Sequence, residues 1–105
     1  MDDLRSGRSI LPVAVGDIRW CEAVGDYVAV HASGAPHLLH LSLSRLETRL
    51  DPAKFTHIRR AHLVNLDHVA AFRRQPSGAV NAVLRDGTVL AVIRAKAQEL
   101  RALAR

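Results

Sequence analysis

The sequence predicts a mainly β fold with one short internal helix and a C-terminal helix. Three observations carry that expectation. Short segments alternate apolar and polar residues, as in Ile18-Arg19-Trp20-Cys21-Glu22, which is the period of a half-buried strand. Turn formers separate such segments: Gly25-Asp26, Ser33-Gly34-Ala35-Pro36, Gln75-Pro76-Ser77-Gly78 and Asp86-Gly87. Only Ser44-Arg45-Leu46-Glu47 and the stretch from Arg94 to Arg105 carry helical signals.

In chain order, residues 1–9 are polar, mixed in charge and contain Gly7, so they read as a flexible tail or linker remnant. Residues 10–105 then form one domain. Ile10 to Val15 surrounds Pro12 and suits an edge strand, because proline cannot donate to a ladder. Gly16-Asp17 turns the chain into the Ile18–Glu22 strand, whose Trp20 is expected in the core. Tyr27-Val28-Ala29-Val30-His31 and His37 to Leu41 are the next strands, joined by a hairpin. Ser44 and Glu47 have capping-box spacing, and Leu43, Leu46 and Leu50 share one helical face that must end near Asp51-Pro52. Phe55 to Asn65 reads as one extended segment: Leu63 and Val64 anchor it and the basic residues stay at a rim. Val69 to Phe72 and Val80 to Leu84 are strands, and Asp86-Gly87 predicts a type I′ hairpin into Thr88–Ile93. The last stretch lacks Gly and Pro and should be a helix with Leu100, Leu103 and Ala104 inward. The count is about eight strands and two helices.

Composition narrows the function. The 105 residues suffice for one core, and an apolar content of 49% excludes a disordered tail. The net charge is +5, and thirteen of the fifteen basic residues are arginine, the side chain suited to planar contacts with phosphates, carboxylates or guanine edges. Cys21 is the sole cysteine, so no internal disulfide or paired-cysteine metal motif exists. No apolar run reaches membrane-spanning length, and Met1-Asp2-Asp3 does not begin a signal peptide, which makes the cytoplasm the default location. The six histidines show no metal-ligand spacing, Cys21 has no evident base, and neither a serine elbow nor a phosphate-loop glycine pattern occurs. No catalytic site, metal or cofactor is expected.

The basic pairs Arg59-Arg60 and Arg73-Arg74, and Arg94 with Lys96, fall at the ends of elements, from which side chains reach out while the framework holds the backbone. Each equally fits a solvated surface charge. Tyr27 fits both a rim tyrosine packed on the sheet and a residue facing a partner. Helix-turn-helix and zinc-finger patterns are absent, and the few aromatics disfavour an RNA-stacking surface.

Five segments in order resemble the LytTR DNA-binding domain, an output module of bacterial response regulators. They are Asp17 to Ala23, Gly25-Asp26-Tyr27-Val28, Leu41 to Glu47, Phe55 to Asn65, and Asp86 to Arg94, and the resemblance covers about residues 10–104. It implies an elongated set of antiparallel sheets with small helices, whose loops enter successive major grooves, commonly as two copies on a direct repeat. It places DNA contacts at Asp26 and Tyr27, at Arg59, Arg60 and His62, and at Arg94 with Lys96. The family's Arg-Ile-His-Arg is here His57-Ile58-Arg59-Arg60, and two serines of the pattern are Ala61 and Ile93. A sensor or receiver domain commonly precedes such a module. None is legible in this chain, which reads as an excised output domain or a stand-alone regulator. The expected function is sequence-specific binding to double-stranded DNA in transcription control. The alternative is a β-rich protein-interaction module without nucleic-acid binding.

Overall fold

The computed structural model describes the backbone of residues 3–6 and 9–103 and the side chains of residues 13–100. A hairpin of β1 (Asp3–Ser6) and β2 (Ser9–Ala14) leads through a 3-10 turn at Val15–Asp17 into β3 (Trp20–Val24), β4 (Tyr27–His31) and β5 (His37–Leu39). Helix α1 (Leu43–Glu47) is followed by β6 (Phe55–Arg59), β7 (His62–Asn65) and a 3-10 turn at Leu66–His68. The chain ends with β8 (Val69–Arg74), β9 (Val80–Leu84), β10 (Val89–Val92) and α2 (Arg94–Leu103).

The strands form a five-stranded sheet in the order β5-β4-β3-β7-β6, a three-stranded sheet β10-β9-β8 and the two-stranded β1-β2. All pairings are antiparallel. Alternation along β3, β4 and β7 sends Cys21, Val28, Val30 and Leu63 to one face, where they pack with Leu43 and Leu46 of α1, Leu50 and Phe55. Val64 and Ile58 face the other way and meet Ala82, Leu84, Leu90, Val92 and Ala97 of the three-stranded sheet and α2. Two cores on opposite faces of one sheet give three layers and an elongated body of 46 × 24 × 23 Å. Cys21 is a free, buried thiol, and burial pushes its pKa up to about 12, so it packs as a small hydrophobe. Leu100 packs against the second core as expected. The Leu103 side chain and Ala104 lie outside the described residues.

The structure corrects several expectations. Asp3–Ser6, expected in the 1–9 tail, is a strand: its polar residues hid the pairing, because a strand in a two-stranded ribbon needs no apolar run. The pairing steps from Asp3↔Ala14 to Leu4↔Leu11, so the break falls at Pro12, where the missing N–H costs no ladder bond. Phe55 to Asn65 is not one extended segment but a hairpin with Arg60 and Ala61 at its tip. The helix cap is Ser42, whose hydroxyl accepts from the Arg45 N–H at 3.1 Å, rather than Ser44. A start at Leu43 buries both Leu43 and Leu46. Asp86-Gly87 does form a hairpin, but not of type I′, since the only positive φ there is Gly87 at 93°. The Gly87 N–H donates to the Leu84 carbonyl at 3.0 Å and the Leu84 N–H to Thr88 at 2.8 Å, closing a three-residue loop with a glycine bulge. Trp20 is half-buried and packs against the second core at its edge, with its ring stacked on His31 at 3.9 Å.

Asn65 is the one fully buried polar side chain among the described residues. Its Nδ2 donates to the Ile18 carbonyl at 2.8 Å, and its Oδ1 accepts from the Asp67 N–H at 3.0 Å. Asn65→Ala leaves both groups without partners, at a cost of about 1–3 kcal/mol. Urea denaturation should show a midpoint lowered accordingly, and an unchanged midpoint would contradict this role.

Candidate nucleic-acid interface

Three turns and one helix start meet at one end of the molecule. The β3–β4 turn has Gly25 at its first central position with φ 58°, which lets Tyr27 begin β4 directly behind Asp26. Beside it the Ala23 N–H donates to the Ala61 carbonyl at 2.9 Å, joining this turn to the β6–β7 tip. The Ile93 N–H donates to the Ile58 carbonyl at 2.8 Å, which brings in the start of α2. Register pairs Arg74 with Val80 and Val80 with Val92, so the β8–β9 turn reaches the same end.

The β6–β7 tip carries no glycine, and neither Arg60 nor Ala61 has a positive φ. Such a turn does not match the twist of its strands, and the register breaks between His57 and Arg59 so that Ile58 is the extra residue. Ile58 thereby turns into the second core while Arg59 and Arg60 stay exposed. His57 braces this tip: its Nε2 faces Glu47 Oε1 at 3.0 Å and its Nδ1 faces the Arg59 carbonyl at 3.3 Å. This explains why a histidine serves at a position where the resemblance calls for arginine. It ties the tip to α1.

At the far end Arg19 pairs with Asp86 at 3.1 Å and Lys54 with Asp67 at 3.3 Å. At the near end Arg59, Arg60, Arg74 and Arg94 are in no ion pair among the described residues. Arg59 and Arg60 border an apolar groove of about 370 Å³ with Ile93 and Lys96, and Ile93 is 49% exposed. Arg94 does not share it. It lines a cavity of about 510 Å³ with Arg74 on the other side of the first turn of α2. Ile93, which precedes that turn, offers no hydroxyl to cap it.

The remaining expected contacts divide. Asp26 is exposed at its turn, and Tyr27 is 46% exposed with its ring 5.1 Å from His40. Lys96 is half-buried and its Nζ binds Glu99 Oε1 at 3.2 Å, so its charge is partly compensated. His62 is turned inward rather than presented at the surface. Its ring stands edge-on to Trp20 at 5.3 Å, its Nε2 is 3.7 Å from Glu22 Oε2, and its Nδ1 is buried without a partner. Glu22 also accepts from His31 Nε2 at 3.0 Å. Sequence reasoning grouped Arg74 only with Arg73 at a strand end. Its neighbourhood with Arg94 depends on sheet register, for which the sequence carries no local signal. Among the described residues no three metal-ligating side chains converge, and no helix is long and apolar enough to cross a membrane.

A β scaffold that presents exposed arginines without carboxylate partners at one end has the electrostatics suited to a polyanion. The chain belongs to the LytTR family, since the family model for the LytTr DNA-binding domain matches residues 8–105. Domains of this family bind DNA as outputs of transcriptional regulators and are not catalytic. The chain is 35% identical over 92 residues to the CO-responsive transcriptional regulator RcoM of Rhodospirillum rubrum, covering 87% of this chain. It is 28% identical over 97 residues to the sensory transduction protein LytT of Bacillus anthracis, covering 92% of this chain. It spans 39% of the length of each of these relatives. A solved LytTr DNA-binding domain from Bacillus cereus superposes with a TM-score of 0.80 at 21% identity, over 98% of this chain and 94% of that one. The expected mainly β fold with one internal and one terminal helix is the fold of that domain.

Burial holds the His62 pKa below its usual value; Glu22 opposes this, while Arg59 and His31 add to it. The folded state therefore favours neutral His62, and the unfolded chain takes up the proton first as pH falls. Stability from this source is complete above about pH 6.5 and is lost as pH drops through the lower folded value. Thermal unfolding from about pH 7.5 to about pH 5, on either side of the ordinary histidine pKa, should show a falling Tm that flattens in His62→Gln. Parallel profiles would refute it.

Proposed function

We propose that this domain binds double-stranded DNA sequence-specifically through the end formed by the β3–β4 and β6–β7 turns and the start of α2, and thereby controls transcription. The observation that carries this reading is the set of exposed arginines without carboxylate partners, among the described residues, at that end. Arg60, at a hairpin tip braced by His57, and Arg94, at a strand–helix junction, are the base readers. Each presents a planar fork that matches the acceptor pair of guanine in a major groove. Arg59 sits one residue before the tip and tunes the base preference. Tyr27 packs on a base or sugar at the flank. Asp26, an exposed carboxylate that repels phosphate, suits an amino donor on a base edge. Lys96 adds a weaker phosphate contact because Glu99 shares its charge. His62 acts from behind, holding β7 against β3.

Two copies on a direct repeat fit a domain that is elongated and carries its contacts at one end. Relatives of more than twice this length leave room for a sensor or receiver domain alongside the module, so the signal would reach DNA through such a domain. The names of those relatives, a transcriptional regulator and a sensory transduction protein, support the same role here.

Selection from a random duplex library identifies the site, and fluorescence titration against the selected duplex then tests the readers. Arg60→Ala and Arg94→Ala should each weaken specific binding about tenfold or more, because a bidentate base contact is worth roughly 1–3 kcal/mol. Unchanged affinity in both variants, with the fold intact, would defeat the assignment.

A further inference from the structure

We infer that Arg74 and Arg94 together form a phosphate-binding cavity, separate from the groove beside Arg59 and Arg60. The two residues line one cavity of about 510 Å³. Neither has an acidic partner among the described residues, and none of the residues lining the cavity is a carboxylate. Two arginines bordering one volume concentrate positive charge there, which an anion would neutralise. The other polar groups there, Ser77 and Gln98, are neutral donors. Ser77 Oγ already accepts from the Ala79 N–H at 3.3 Å, which leaves its hydroxyl proton to donate.

The walls favour a firm grip. Val80 and Val92 line the cavity, and such apolar surface limits solvent screening of the charges. Arg74 is fixed by its ladder position opposite Val80, and Arg94 begins α2 two residues beyond Val92, the partner of Val80. The spacing of the two arginines is therefore set by sheet register rather than by a mobile loop. The ligand chemistry follows from the geometry of two forks. A carboxylate satisfies one fork in its own plane. A tetrahedral phosphate presents oxygens in more than one direction and accepts from two guanidiniums at once.

Assigning that phosphate to a DNA backbone rests on the DNA-binding reading above; a free phosphate would use the same chemistry. In this arrangement Arg94 turns one N–H pair to a base edge and its remaining donors to the adjoining phosphate that Arg74 also holds, which fixes the register of the domain on the duplex.

Affinity for the selected duplex and for a random duplex is measured on the whole chain from roughly 50 to 200 mM salt, over which phosphate contacts are most visible, with Arg74→Gln and Arg74→Lys as variants. In a second arm, inorganic phosphate is titrated into the labelled protein while the Ser77 and Gly78 amide resonances are followed. For a DNA phosphate, Arg74→Gln weakens both duplexes by the same factor and lowers the slope of log affinity against log salt by about 0.9, while Arg74→Lys retains the slope. For a free phosphate, DNA binding is unchanged in Arg74→Gln, but the amides saturate in the wild type and not in the variant. An unchanged salt slope together with no saturation by phosphate overturns the cavity, and leaves DNA binding through Arg60 standing. A wild-type chain that binds no duplex removes the DNA reading instead, and the phosphate arm still decides the cavity. Equal melting temperatures of the three proteins establish that the fold is retained.

Discussion

The buried amide of Asn65 is the joint on which the arrangement of sheets depends. Its Nδ2 holds the Ile18 carbonyl at the entry to β3, and its Oδ1 caps the 3-10 turn that launches β8. Its backbone N–H also binds the Arg19 carbonyl at 3.0 Å. One side chain thus links the central strands of the five-stranded sheet to the beginning of the three-stranded sheet. A buried amide must have these partners, so the geometry admits little slack. The angle between the sheets is set there, and with it the relative positions of turns at the opposite end.

That end is built to be rigid where it must present charge. The Arg60 tip is held by the His57 brace to α1 and by the Ala23–Ala61 backbone bond to β3. Behind it, Trp20 lies parallel to His31 within 2°, and Glu22 lies between His31 and His62. A guanidinium on a fixed backbone loses less freedom when it binds than one on a loose loop. The price of this design is an inward-facing His62 with a buried, unpartnered Nδ1. Glu22 offsets the burial only in part, as the lowered pKa shows.

Much of this was legible in the sequence, in proportion to how local the physics is. Alternation marked β3, apolar runs between turn formers marked β4, β9 and β10, and turn residues marked four of the hairpins. The Asp86-Gly87 turn was misjudged in type because Arg85 joins the loop, a choice made by the ladder register of β9 and β10. The Arg60-Ala61 tip was invisible, since it contains no residue that prefers a turn. What bends the chain there is the pull of Ile58 into the second core. The cap of α1 was displaced by two residues because Ser42 and Ser44 are chemically equivalent, and only the burial of Leu43 distinguishes them. Arg59, Arg60 and Arg94 were found from their places at element ends. Arg74 was found in the same way, but its neighbourhood with Arg94 and the bracing role of His57 were not, because each depends on a partner more than nine residues away in the chain.

The central claim is that DNA meets one end of this fold and not its faces. Amide chemical-shift mapping of the labelled domain titrated with its selected duplex tests it most directly. The account predicts perturbations concentrated at Asp26 and Tyr27, at Arg59 to Ala61 and at Ile93 to Lys96, with the Asp86 turn and the two residues of the Lys54 to Asp67 ion pair unmoved. Perturbations centred on the Asp86 turn, or on the outer face of α1, would contradict it.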